Sequence, residues 1–246
     1  MLSGRSLLIA GRVLRGLRRD HRTLFLFIGS PAFVMILCAE MLTRHPQMFD
    51  RVGLLIMGMF PTAPGFLFAA FSLQRERHQG SLEYLLTAPV SRMDVLVGYV
   101  MAFCVPALAQ VALMVSVSYG LLGLDSAGAW WAVSLMSLFS CVLGVLLGMF
   151  AINLAGNEFE LTKMLPATAV PHVMVSGLFQ PVKDLPEWMQ AIALVAPWRY
   201  LVGAVGEFQT HSRITATFAR NLGVTLGIVL LASVMTLLTV LNRRTA

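Results

Sequence analysis

Few residues in this chain are of a type and spacing that could do chemistry. Holding a nucleotide phosphate by the common route needs a glycine loop that ends in Gly-Lys-Ser or Gly-Lys-Thr, so that backbone amides and one ammonium surround the phosphates. The only lysines are Lys163 and Lys183, and neither ends such a loop. No Ser-His-Asp order and no pair of carboxylates at a plausible depth recommends an enzyme. Cys38, Cys104 and Cys141 all fall inside apolar runs and form no Cys-x-x-Cys pair, which speaks against a metal site or a disulfide framework and for small core residues. The chain is therefore expected to be no enzyme, to hold no metal and to bind no cofactor of its own.

The elements that carry these residues are set by composition. Of 246 residues, 57% are hydrophobic and only 12% charged, against about 25% charged in an ordinary soluble domain. With a mean hydropathy of +0.77, lipid is the main solvent and the fold class is an all-α polytopic membrane protein, one domain over 1–246. The net charge of +6 does not point to nucleic acid, because the basic residues sit at the ends of apolar runs. Six runs are long enough to read as spans, over 24–42, 52–73, 95–122, 129–152, 164–179 and 221–241. Polar groups inside such runs are costly and often functional, which makes Gln110 and His172 candidates for lining a path through the bilayer. Gln110 can as easily bond across helices, and His172, directly after Pro171, can satisfy a carbonyl freed by a kink. Glu40 lies near the outer end of its span and snorkels.

One polar stretch, residues 74–92, concentrates Arg75, Glu76, Arg77, Glu83 and Arg92 between two apolar runs. Gly80 stops the preceding helix, Ser81 caps a new one and Pro89 ends it, leaving room for about two turns of helix. That helix carries Leu82, Leu85 and Leu86 on one side. Exposed leucines flanked by charge fit the groove of a partner protein, or they pack on the chain's own surface as an ordinary loop; both readings stand on the pattern alone.

In chain order, residues 1–23 form an amphipathic helix. Arg5, Arg12, Arg15, Arg19 and Arg22 share one face, and Leu2, Leu7, Ile9, Ala10, Val13, Leu14 and Leu17 the other. Its apolar side is expected in the acyl boundary, with the arginines against anionic head groups. Ser91 and Asp94 read as a capping box for the third span, and Trp130 and Trp131 suit an interfacial belt at the start of the fourth. Asn157 and Glu158 lie in a second short polar loop on the same side as the first. After the fifth span, Asp184 is expected to cap a helix with Pro186 in its first turn and Glu187 completing a capping box, Trp188 following and Pro197 stopping it. A helix over 185–196 is too short to cross, so residues 180–208 are expected to enter and return as a re-entrant hairpin. Six spans put both termini on one side, and that side holds 12 of the 18 lysines and arginines, which marks it as cytoplasmic.

At three places the chain resembles the ABC-2 type permeases, the membrane subunits of ABC exporters. Arg75-Glu-Arg followed by Gly80-Ser-Leu-Glu-Tyr-Leu-Leu and Ala88-Pro-Val-Ser-Arg resembles their cytoplasmic coupling helix. Leu17-Arg-Arg-Asp-His-Arg-Thr is similar to their connecting helix, and Ser176-Gly-Leu-Phe-Gln-Pro, Asp184-Leu-Pro-Glu-Trp-Met-Gln and Ala196-Pro-Trp-Arg-Tyr to their extracellular re-entrant segment. Glu207 departs from the pattern, where many members carry arginine, so no role is carried over to it. The resemblance implies a multi-pass protein of the cell inner or plasma membrane, working with two copies of an ABC ATPase subunit that bind ATP and magnesium. It also implies a second permease, identical or homologous, and an exported drug, lipid or glycolipid; polysaccharide and haem exporters share the plan. Glu76, Arg77, Ser81, Leu82, Glu83, Leu85, Leu86 and Arg92 would meet the ATPase, with Asn157 and Glu158 as a second cytoplasmic contact. From other classes, an intramembrane enzyme and an assembly scaffold remain as alternatives.

Overall fold

The computed structural model describes residues 4–78, 91–155 and 158–242; among these the chain forms ten α-helices and no strand. Helix α1, Gly4–Arg19, buries Ser6, Ile9, Val13 and Leu17, spaced three or four residues apart along one stripe. That stripe lies on protein. It packs on α5, Arg92–Val115, where Gly98 lets the two backbones meet: a Cβ there would come within 2.7 Å of the Ile9 side chain and 3.0 Å of the Ser6 carbonyl. Ser6 Oγ also donates to Asp94 Oδ1 at 2.9 Å. Of the apolar side expected in the acyl boundary, Ile9, Val13 and Leu17 are thus covered by the chain itself, while Leu7 remains exposed, as does Leu8, and Leu2 lies outside the described residues. An amphipathic stripe fits lipid and protein equally well, so periodicity alone does not separate the two.

Asp20 caps α2, His21–Met41, by accepting from the Thr23 amide at 3.2 Å and the Thr23 hydroxyl at 2.7 Å. On α2, Phe25, Leu26, Phe33, Leu37 and Met41 face outward, and Phe27 stacks inward on Phe68 with ring centroids 4.3 Å apart. Helices α3, Pro46–Met59, and α4, Thr62–His78, continue one another and make a single apolar run of 33 residues, longer at both ends than 52–73. Helical hydrogen bonds continue past the apolar boundary, from Pro46 in the first turn to the charged Gln74–His78 end. Helix α5 opens on the Ser91–Asp94 capping box, with both reciprocal bonds formed, and passes at Ser116–Leu121 into a π-helical turn.

Helix α6, Trp130–Leu154, is the centre of the molecule, and α4 crosses it at backbone contact. A Cβ on Gly144 would lie 2.1 Å from the Thr62 carbonyl oxygen, one on Gly148 2.3 Å from that of Phe66, and one on Gly65 2.7 Å from that of Cys141. Thr62 and Ser140 share a hydrogen bond of 2.7 Å in this seam, and Ser137 Oγ donates to the Met57 carbonyl at 2.8 Å. Between apolar helices in lipid, small residues that admit close approach and buried hydroxyls that bridge are the main means of attachment.

Helix α7 runs Glu158–Val175, beginning and ending earlier than 164–179, because Gly177 at φ +93° turns the chain away. Helix α8, Glu187–Val195, and α9, Pro197–Gly206, follow, and the chain bends by 92° between Val195 and Pro197. Asp184 does not cap α8; it closes a 3-10 turn, Val182–Asp184, and Pro186 stands at the cap without a side-chain bond. The residue before a proline is pushed to extended backbone, and Leu185 at ψ 154° takes Asp184 out of capping register. Gln190 Nε2 instead donates to the Leu185 carbonyl at 2.8 Å. Helix α9 is buried through Trp198, Leu201, Val202, Ala204 and Val205, whereas α8 exposes Trp188, Leu194 and Val195. The last helix, α10, is Ala216–Asn242.

Among the described residues five helical runs are long and apolar enough to cross a membrane, and six if the bent pair α8–α9 counts as one. Helix α7 is not one of the five, since Glu158, Glu160 and Lys163 all lie in its first two turns.

Candidate functional site

The charged end of α4 is built inward. Leu73 and Gln74 are buried, and the three charges that follow each reach a different element. Arg75 pairs with Asp20 at the cap of α2. Glu76 accepts from the Tyr99 hydroxyl of α5. Arg77 donates to the Ile152 carbonyl at 2.8 Å and to the Asn153 side chain, both at the end of α6. Asn153 is itself held by a bond from Nδ2 to the Met149 carbonyl at 3.1 Å. The Thr23 hydroxyl most of all, then the Thr23 amide and the Arg75 guanidinium, hold the Asp20 carboxyl below its ordinary value of 3.8, while burial opposes them. The segment that follows His78 therefore leaves a platform tied to α2, α5 and α6 at once, and its return at Ser91 is tied through Asp94 to α1.

Of the residues expected to meet an ATPase, Glu76 and Arg77 are thus engaged within the chain. Ser81, Leu82, Glu83, Leu85 and Leu86 lie outside the described residues, and Arg92 is the first residue of α5. Asn157 also lies outside them, and Glu158 opens α7. Because Arg77 reaches the last turn of α6, the chain leaves α4 and α6 at the same end of the bundle, which puts the two polar loops on one side. Alternating charge at the end of an apolar run does not name this clasp; the signal in the sequence is Tyr99 and Asn153, polar groups near the ends of their own helices.

A second feature is an apolar groove of about 400 Å3 between α4, α6, α7, α9 and α10. Phe66, Phe150, Leu231 and Met235 form its walls, and Thr62 lies in its lining. His172 lies on it, its ring edge-to-face with Trp198 at 5.9 Å between centroids, and Pro197 of the hairpin borders it. Gln110 is elsewhere. It is fully buried, its Oε1 accepts from Cys141 Sγ at 3.3 Å, and its Nε2 has no partner among the described residues. The two polar residues singled out in the spans are therefore not brought together, and the one on a cavity is His172. Of the hairpin residues, Asp184, Pro186, Glu187 and Trp188 shape the outward turn and α8, while Pro197 starts the buried arm.

A helix pair bent by 92° before the last span, and a clasped platform ahead of the third, can be compared with known families. The model of the ABC-2 type transporter family matches residues 6–209. The chain belongs to the ABC-2 type transporter family. Among curated relatives, the linearmycin resistance permease protein LnrN of Bacillus subtilis is 30% identical over 149 residues, 60% of this chain and 38% of LnrN. The probable multidrug ABC transporter permease YbhR of Escherichia coli is 22% identical over 148 residues, 59% of this chain and 39% of YbhR. YbhS, of the same description and organism, is 22% identical over 145 residues, 58% of this chain and 38% of YbhS. The chain thus spans under two fifths of the length of these relatives. It is a helical membrane protein of the ABC-2 type transporter family, with relatives named as a linearmycin resistance permease and as probable multidrug ABC transporter permeases.

Proposed function

We propose that this chain is a permease subunit of an ABC exporter, moving a hydrophobic or amphipathic compound out of the cytoplasm or inner leaflet with energy from a separate ATPase. Two ATPase subunits that bind ATP and magnesium would dock on the 79–90 segment through Leu82, Leu85 and Leu86, with Ser81, Glu83 and Arg92 setting register. Asn157 and Glu158 would supply the second contact, and a second permease, identical or homologous, would complete the pore in the inner or plasma membrane, with both termini cytoplasmic. The single observation that carries the reading is the clasp of Arg75, Glu76 and Arg77. It fixes the base of the docking segment to three helices, so a displacement imposed there moves α2, α5 and α6 together and is not absorbed by a loose loop.

The groove supports the substrate class. Its walls are aliphatic and aromatic, with one histidine and one threonine among the lining, which suits an apolar body with a small polar handle. The test is extraction of the chain from its native membrane in mild detergent with mass spectrometry of what accompanies it. An ATPase recovered in equal amount is expected; a chain that comes out alone, and hydrolyses or transforms a compound without nucleotide, would replace the transporter reading with the enzyme one.

A further inference from the structure

A cavity of about 770 Å3 opens beside the clasp, walled by the second half of α1, the first turn of α2 and the last turns of α4. Arg12, Arg15, Arg19 and Arg75 line it, against Asp20 and Glu76 as the carboxylates among the described residues of the lining. Four guanidinium groups against two carboxylates leave the cavity an excess of positive charge, and Asp20 is turned to Arg75 and the Thr23 hydroxyl, Glu76 to the Tyr99 hydroxyl. Thr23 and Ser72 add hydroxyls. The floor is apolar, from Val13, Leu17 and Phe68, the last stacked on Phe27. The cavity sits where two spanning runs end, His21–Met41 at its start and Pro46–His78 at its finish, which is the level of lipid head groups.

We propose that this cavity binds the phosphate of an anionic phospholipid, with guanidinium groups of α1 around the phosphate and the glycerol end of the acyl chains over Val13, Leu17 and Phe68. Planar guanidinium forks match phosphate oxygens in pairs, and they are less strongly hydrated than ammonium groups, which suits a half-wet site between helices. Basic pockets between membrane helices at this level are a recurrent way of holding such head groups. The site differs from a diffuse attraction of a basic helix to a charged surface, because only part of the arginine set of α1 lines it. Arg5 and Arg18 lie on the same helix and outside the cavity. A bound lipid would also touch Arg75 and Asp20, and so the base of the clasp.

The test uses the full chain with its co-purifying subunits in mild detergent, supplied with phosphatidylglycerol or phosphatidylcholine, and counts lipids retained per chain by native mass spectrometry. Phosphatidylglycerol is expected to be retained over phosphatidylcholine, and R15Q/R19Q is expected to lower that retention about tenfold. R5Q/R18Q removes the same charge from the same helix and is expected to retain lipid as the unaltered chain does. Equal losses in the two double variants would overturn the site in favour of general surface charge. Retention unchanged in R15Q/R19Q would overturn it outright. A third arm adds inorganic phosphate without lipid: thermal protection by phosphate, with no phosphatidylglycerol retained, would overturn the lipid as occupant.

Discussion

Arg77 joins the end of α4 to the end of α6 through one carbonyl and one amide oxygen, and its charge makes those bonds the stronger kind. Arg77→Gln should lower the stability of the chain in detergent by about 1.5–3 kcal/mol, the range for a hydrogen bond to a charged group, read as a fall in thermal midpoint. Asp20 gives a pH signature at the neighbouring joint. Its folded-state pKa lies below the ordinary value of 3.8, so its contribution is present above that value and is lost as pH falls through the depressed folded one. Protection of the amides in the first turn of α2, taken relative to their intrinsic exchange rate, should therefore fall in acid below about pH 4, the ordinary carboxylate range, and Asp20→Asn should remove that dependence; an unchanged acid profile would show that the cap and the Arg75 pair contribute nothing. At this scale the sequence was legible where a bond is local. Ser91 and Asp94 are three residues apart and their spacing names their bond, whereas Arg77 and Asn153 are separated by most of two spans and nothing in either neighbourhood names the other.

At the scale of elements, the seam of α4 on α6 rests on glycine. Gly148→Val would place a branched side chain against the Phe66 carbonyl, a backbone atom that cannot swing away, and the helices must part. A cost on the order of 1–3 kcal/mol is expected, seen as a lower thermal midpoint, with loss of the Thr62–Ser140 hydrogen bond as the seam opens. Gly227 on α10 has no heavy atom within 4 Å of an added Cβ, and Gly227→Ala serves as the control that should cost nothing measurable. The Gly144-x-x-x-Gly148 spacing stands openly in the sequence and was the available signal for this crossing. The spans themselves were readable because about 20 apolar residues in a row have few other uses. The start of α8 was not, because Pro186 acts on the residue before it and so shifts a cap that residue types alone place at Asp184. The partner of α1 was equally hidden, since its stripe is defined by period and its cover by Gly98, far away in sequence.

At the scale of the molecule, the clasped end of α4 ties α2, α5 and α6 together at one end of the bundle, where the proposed partner would push. The proposed orientation rests on the excess of lysine and arginine at that end and is open to a direct check. Ser212 lies exposed between the hairpin and α10. In intact cells Ser212→Cys should react with a membrane-impermeant maleimide, while Ser91→Cys should react only after the membrane is opened; the reverse pattern would invert the topology. The central claim is that the segment between His78 and Ser91 docks an ATPase. The measurement that tests it most directly places a photoreactive phenylalanine derivative at position 85 in the native membrane and identifies what it captures on illumination. A single adduct with an ATPase subunit is the expected result; capture of lipid or of this chain alone, in membranes where the ATPase is present, would contradict it.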